Sequence, residues 1–295
     1  MPFRYLGTNC ADLCHKGTIN ITPWYNYINS SAAKEVCLLV KSLLLHHSKH
    51  WDKQAPTYTS EIFNVYANDY HGRLKAMITK HANPKGHAVD FGCGTGNGFA
   101  LMAPLFKHIM AFDVSAGLLK QAAARGYENI SVNKLDLTDT KAPVPYTDFG
   151  VCCNVAISHD IQMDYAIIKN VLRAINKGGT VVFVLPSLES GCLTTWNLTQ
   201  WHKKEKTTIA QIPDEEIENI ALSVDELRNG ICRIDNRPTK HYSLHELFGM
   251  FHSGNFEIVT VEKLEYPWKS EFASPPKWMQ DPYPWDWAVE VRRRK

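Results

Sequence analysis

Apolar positions along the chain fall into two alternating rhythms. From Ser60 they recur at 62, 63, 66, 70, 74, 77 and 78. This spacing predicts a helix, stopped at Asn83-Pro84. His87–Phe91 is a short apolar run that predicts a buried strand, and it leads into Gly92-Cys93-Gly94-Thr95-Gly96-Asn97-Gly98. Phe99, Leu101, Met102, Leu105 and Phe106 predict the next helix, and Ile109–Phe112 a strand ending at Asp113. Ser115 is placed to cap a helix through Leu118, Leu119, Ala122 and Ala123, with Gly126 closing it. Ile130–Val132 predicts a strand leading to Leu135-Asp136-Leu137. Phe149–Val155 is apolar throughout, the pattern of a strand covered on both faces. Ile161–Ile175 has helical spacing, Lys177-Gly178-Gly179 turns the chain, and Thr180–Leu185 is another buried strand stopped by Pro186. The β-α-β-α order predicts an α/β protein with a doubly wound, mostly parallel sheet.

The rhythm breaks after Pro186. Residues 188–240 hold two helix-like stretches, the second over Pro213–Arg228, and follow a sheet strand on the edge where ligands bind. They read as a lid. Ser243 caps a further helix through Leu244, Leu247, Phe248 and Phe251, ended by Gly254-Asn255. Phe256–Leu264 and Trp285–Val291 predict two late strands, paired antiparallel at the sheet edge. The organisation expected is an extension over 1–50, a core over 51–187, a lid over 188–240, and a return to the core over 241–295. The extension contains a helix pattern starting near Ser31 and has no further readable role.

Charge narrows the class. Lys+Arg total 32 and Asp+Glu 30, a net +2, so no strong field favours nucleic acid or an anionic membrane. No apolar run is long enough for a membrane span. The start has no charged segment followed by an apolar core, so no secretory signal is evident. The eight cysteines lie partly within apolar strand patterns, which is the habit of a reduced, cytoplasmic protein. Cys10-x-x-x-Cys14-His15 lacks a second ligand pair, so no metal is expected.

The chemistry gathers at the strand ends. A strand, a glycine turn and a helix build a cleft at the carboxyl edge of the sheet, and the glycines let a ligand approach the backbone. The string is not a dinucleotide fingerprint: the sixth position from Gly92 is Asn97, and from Gly94 it is Phe99. Asp90, two residues before the first glycine, disfavours a pyrophosphate and suits a cationic ligand. Asp113 can accept two ribose hydroxyls. Asp136 can accept from an adenine amino group, with Leu137 against the ring.

This constellation resembles the class I S-adenosylmethionine-dependent methyltransferases. Asp90, Gly92, Gly94 and Gly96 match the family's first motif. Asp113, with Val114 beside it, matches the ribose acid, Asp136 and Leu137 the adenine segment, and Asn154–Ser158 the end of the fourth strand. Trp51-Asp52-x-x-Ala55-x-x-Tyr58 is similar to the entry segment that folds over the cofactor, which brings in Trp51 and Tyr58. The resemblance implies a Rossmann-like seven-stranded sheet with an antiparallel last strand. It also implies S-adenosyl-L-methionine as cofactor, S-adenosyl-L-homocysteine as product, and a small-molecule acceptor. His159, beside Ser158 past the fourth strand, reads either as a base or acceptor-positioning group or as a structural histidine. His241 and Tyr242 precede the Ser243 helix, on the connection that faces the acceptor in this family.

Between 266 and 287 lie Tyr266, Trp268, Phe272, Trp278, Tyr283, Trp285 and Trp287. With Trp196, the rings of Trp268 and Trp285 are the aromatic candidates for the acceptor pocket. They either hold a cation by cation–π attraction or pack the segment onto the sheet. Similar aromatic tails occur in small-molecule methyltransferases, including those acting on methylthio-hydroxy acids in osmolyte synthesis. An S or N nucleophile is therefore favoured over O. A silent cofactor-binding regulatory module is the rival reading, because the acids and glycines speak only for binding, and a methyltransferase with an O or protein acceptor is the other alternative. Oligomeric state is not legible.

Overall fold

The computed structural model describes residues 48–211, 224–234, 237–252, 254–272 and 274–295. Cys10, Cys14, His15, the Ser31 helix pattern and most of the Pro213–Arg228 pattern lie outside the described residues.

Seven strands form one sheet: β1 (Asn83–Phe91), β2 (Phe106–Asp113), β3 (Ile130–Lys134), β4 (Thr147–Cys153), β5 (Ile175–Pro186), β8 (Phe256–Glu265) and β9 (Trp285–Arg293). Their order is β3-β2-β1-β4-β5-β9-β8. The pairs from β3 to β5 are parallel, and β9 lies antiparallel between β5 and β8. The seven-stranded, mostly parallel sheet with its antiparallel last strand is thus the one expected. A separate hairpin, β6 (Ile231–Ile234) with β7 (Arg237–Lys240), was not legible in the sequence.

Alternation along the strands splits the core. Val89, Phe91, Val181, Phe183 and Leu185 face one side, and Ala88, Val182 and Val184 face the other. Helices cover both sides because every strand in the centre is apolar on both faces. Helix α1 (Arg73–Thr79) buries Leu74, Met77 and Ile78 on the Ala88 side. Helix α2 (Ala116–Ala123) packs Leu119 and Ala122 against Cys93, Phe99 and Ala111. On the Phe91 side lie α3 (Ile161–Ala174), with Ile167, Ile168 and Val171, and, beyond the long α4 (Leu188–Lys204), α5 (Leu244–Phe251). There Phe251 stacks on Phe183 at 4.8 Å between centroids, worth about 0.5–1.5 kcal/mol beyond its buried area. Ser115, Asp160 and Ser243 cap α2, α3 and α5 by accepting from Leu118, Gln162 and Glu246 backbone N–H groups.

Two expected helices are shorter than their patterns: the one from Phe99 is a single turn over Phe99–Met102 with a 3-10 turn over Ala103–Leu105, since Pro104 follows, and Phe106 already opens β2. The apolar positions from 62 to 78 do not form one helix: α1 begins only after Gly72, whose φ of +65° breaks the helical path. Ile62, Phe63 and Tyr66 are freed from helical register and turn into a cavity. Among the described residues, no helix is long and apolar enough to cross a membrane.

Candidate active site

β1 is the strand at which the sheet order reverses, with β2 on one side and β4 on the other. Clefts open at such points, beyond the carboxyl ends of the strands. The turn after β1 is pinned to β2: the backbone N–H groups of Gly92 and Cys93 both donate to the Phe112 carbonyl, at 2.7 and 2.8 Å. Gly92 has φ +74°, and a Cβ there would stand 2.3 Å from Val155 Cγ2. Only glycine satisfies both the dihedral and the space.

Two carboxylates flank this turn in different states. Asp113 accepts Gly94 N–H on Oδ2 and Ser115 N–H on Oδ1, each at 2.9 Å. Burial raises its pKa, and those N–H groups pull it back. Asp90 is 2% exposed and has no hydrogen-bond partner among the described residues. Burial and then the charge of Asp113 push it up to about 7. A buried, unpartnered carboxyl group facing a cleft is poised to ionise against a cation.

The segment before β1 is latched over this edge. Asp52 Oδ1 accepts from Ser115 Oγ at 2.6 Å and from Gly117 N–H at 3.1 Å. Gln121 Nε2 donates to the Ala55 carbonyl at 2.6 Å. The latch carries Trp51 and Tyr58, whose rings meet edge to face at 6.2 Å, onto the cavity wall. The Tyr58 hydroxyl would lie 2.9 Å from a Cβ on Gly94.

A cavity of about 390 Å³ opens here. Of the residues singled out in the sequence, it gathers Trp51, Tyr58, Asp90, Gly92, Asn154, His241 and Trp285. Asn154 ends β4 with φ +51°, a strained conformation for a residue with a side chain. His241 Nδ1 lies 3.0 Å from the Thr239 carbonyl. Only a protonated nitrogen can donate there, so Nε2 carries the lone pair. Burial lowers the His241 pKa to about 4, which keeps the ring neutral.

The other candidates lie elsewhere. Gly94 and Gly96 form the turn, and Asp113 sits behind it. Val114 offers its carbonyl to Ser48 Oγ at 3.2 Å. Asp136 does not line the cavity: its Oδ1 is engaged by Thr138 N–H and Oγ1, at 2.9 and 2.6 Å, and Leu137 is packed in the core. Ser158 and His159 lie off the cavity lining: Ser158 Oγ accepts from Asp160 N–H at 3.0 Å, and His159 is exposed at the entry to α3. Tyr242 is wholly buried, its hydroxyl donating to the Ala156 carbonyl at 2.8 Å. Trp196 is 59% exposed on α4. Trp268 is buried, with Nε1 donating to the Gln280 carbonyl at 2.9 Å and its ring stacked on Phe272.

Sequence reasoning passed over Asp286 and Tyr66, which also line the cavity, and named Tyr266, a third lining residue, only as one ring of the aromatic segment. A signal existed for Asp286. It opens an antiparallel strand, so its end meets the carboxyl ends of the parallel ones, and it pairs with Pro186 at the end of β5.

Comparison with known proteins places this geometry. Residues 88–179 match a family model described as a methyltransferase domain. An uncharacterized methyltransferase of Mycobacterium tuberculosis and one of Mycobacterium bovis are each 30% identical over 116 residues, 38% of this chain. The chain spans 57% of the length of these curated relatives. Among solved structures, the complex of DhpI with S-adenosylhomocysteine aligns over 85% of this chain and 97% of its own, at TM-score 0.53 and 15% identity. The N-methyltransferase NodS of Bradyrhizobium japonicum aligns over 84% and 98%, at 0.52 and 10%. An S-adenosylmethionine-dependent methyltransferase of Mesorhizobium loti aligns over 78% and 100%, at 0.52 and 18%. These structural likenesses establish the fold.

Proposed function

We propose, from the match of residues 88–179 to a methyltransferase domain, that this chain is a class I S-adenosylmethionine-dependent methyltransferase acting in the cytoplasm on a small-molecule acceptor with an S or N nucleophile. The observation that carries the reading is Asp90: a buried carboxyl group without a partner, on the floor of a cleft whose turn admits no side chain at Gly92.

S-adenosylmethionine, when bound, supplies an electrophilic methyl group on a sulfonium. The residues present fit it. Asp90 faces the cationic amino-acid portion, and Gly92, Gly94 and Gly96 allow close approach of the backbone. Asp113 keeps lone pairs on both oxygens for the ribose hydroxyls. Trp51 and Tyr58 close over the nucleoside, and Asn154 bounds the far side. Val114, Asp136 and Leu137 lie toward the adenine end. The protein's work is to align donor and acceptor and to keep water out. His241, neutral with its Nε2 lone pair available, is the side chain of the cavity best suited to steer an acceptor proton. Ser158, His159 and Trp196 lie off the cavity lining, and Tyr242 and Trp268 are committed to the fold by their own hydrogen bonds, so this proposal gives the acceptor role to His241 and Trp285. A methylthio-hydroxy acid is one acceptor consistent with an S nucleophile.

Calorimetry with S-adenosylhomocysteine, followed by incubation with methyl-labelled S-adenosylmethionine and a metabolite extract, tests the proposal. Binding and a labelled small molecule are expected. A chain that binds neither form of the cofactor refutes it.

A further inference from the structure

The acceptor end of the cavity carries a second carboxylate that the proposed cofactor site does not use. Asp286 opens β9 beside Pro186. Asn154 Nδ2 donates to its Oδ2 at 3.1 Å, and Tyr266 Oη donates to the same oxygen at 2.9 Å. Oδ1 is left with no partner among the described residues. Burial raises the Asp286 pKa, and the two donors only partly offset it. The amide orientation of Asn154 follows from chemistry, because an amide oxygen turned toward the carboxylate would repel it. Asn154 Oδ1 is consequently the free end, and it too is buried without a partner.

Two tethered acceptors on one wall call for a ligand that brings donors. His241 Nε2 adds a third lone pair to the same cavity. No lysine or arginine is among the described residues lining it. An anionic acceptor, such as a hydroxy acid, would enter with nothing of opposite charge to meet it. Trp285 carries Lys263 Nζ over its ring at 3.7 Å. Selection of charge therefore falls to the carboxylate rather than to that ring. Tyr66 and Tyr266 supply aromatic walls beside it, and the Tyr66 hydroxyl and Trp285 Nε1 are neutral buried donors on the same lining that carry no charge to meet an anion.

We infer that the acceptor is a small amine, held as its ammonium ion by Asp286 Oδ1 and Asn154 Oδ1 and methylated on nitrogen. This rests on the methyltransferase reading above. In the step, the ammonium loses one proton to Asp286 and then to water. The nitrogen lone pair forms the new N–C bond while the methyl–sulfur bond breaks, its electron pair staying on sulfur. Asp286 is thus a substrate-binding residue that also removes the proton blocking the nucleophile.

The test uses the full chain and a metabolite extract divided into cation-exchange and anion-exchange fractions, each incubated with methyl-labelled S-adenosylmethionine. The methylated atom is read by mass spectrometry and NMR. Label is expected in the cationic fraction, on nitrogen. Asp286→Asn should lower that labelling at least tenfold, while its affinity for S-adenosylhomocysteine by calorimetry stays within threefold. Should Asp286→Asn fail to fold, Tyr266→Phe, which leaves the carboxylate in place but removes one of its two donors, should also reduce amine labelling with product affinity retained. Label on sulfur, an anionic product, or no labelled amine from a chain that binds S-adenosylhomocysteine overturns the inference and leaves the proposed function standing, whereas label on oxygen overturns the S or N nucleophile of that proposal as well. N-methylation undiminished in both variants overturns the role given to this wall. A chain that does not bind S-adenosylhomocysteine refutes the underlying reading instead.

Discussion

Gly94 donates its backbone N–H to Asp113 Oδ2 at 2.9 Å, tying the turn after β1 to the end of β2. One carboxylate thereby holds the glycine turn open from behind. The other oxygen fixes Ser115, whose hydroxyl caps α2 and binds the Asp52 latch. The cleft floor, the helix start and the strap carrying Trp51 and Tyr58 are parts of one hydrogen-bonded unit.

Asp113→Ala should therefore act twice. It removes the acid proposed for the ribose and leaves two buried N–H groups unpaired. Affinity for S-adenosylhomocysteine should fall by about 1–3 kcal/mol, and folding stability by a similar amount. Calorimetry and urea unfolding read the two separately. Unchanged affinity in a folded variant would remove Asp113 from the site.

Asp90 gives a pH signature. Its folded pKa is raised from the ordinary 3.8 to about 7. The native state thus holds a proton that the unfolded chain has lost, and this group's contribution to stability, present at low pH, declines as pH rises through about 7. A cationic ligand prefers the ionised form. Affinity for S-adenosylmethionine should rise with pH up to about 7 and level off above it, with proton release at pH 6 seen by calorimetry in buffers of different ionisation enthalpy. Asp90→Asn should flatten the profile; a flat profile in the unmodified chain would contradict the assignment.

The fold was legible because the central parallel strands are apolar on both faces and β2, β4 and β5 are followed by the capping residues Ser115, Asp160 and Ser187. Asp90 and the glycine turn were legible for the same reason: sequence order alone brings them to a strand end. Distances across the sheet were not. Asp136 follows β3 by two residues, whereas Asp90 lies within β1, and Thr138 takes its oxygen; β3 is also the sheet edge farthest from β9. Asp286 is remote in sequence and becomes a wall of the cavity only through antiparallel pairing with Pro186. Tyr66 was hidden inside a helical spacing that Gly72 interrupts.

His241 should stay neutral across the range in which histidines ordinarily titrate. Its pKa is lowered from 6.5 to about 4 by burial. A depressed base contributes stability above about 6.5 and loses it as pH falls toward 4. NMR of the imidazole should show one tautomer, protonated on Nδ1, unchanged from pH 8 to about 5. A midpoint near 6.5 would mean that the ring is solvated and free of the Thr239 carbonyl.

Tyr242 separates a structural hydroxyl from a chemical one. Its N–H donates to the Pro186 carbonyl at 2.7 Å, and its own carbonyl accepts from Trp287 Nε1 at 3.2 Å. The hydroxyl is engaged by Ala156 at 2.8 Å, in a side chain with no exposure. Tyr242→Phe keeps the ring and its packing but leaves a buried carbonyl without its donor. Stability should fall by about 1–3 kcal/mol, seen as a lower urea midpoint at unchanged slope. Affinity for S-adenosylhomocysteine and kcat/KM should stay within about twofold, since the hydroxyl is already committed to the backbone. A large loss of kcat with stability intact would show that the hydroxyl leaves Ala156 to reach the acceptor.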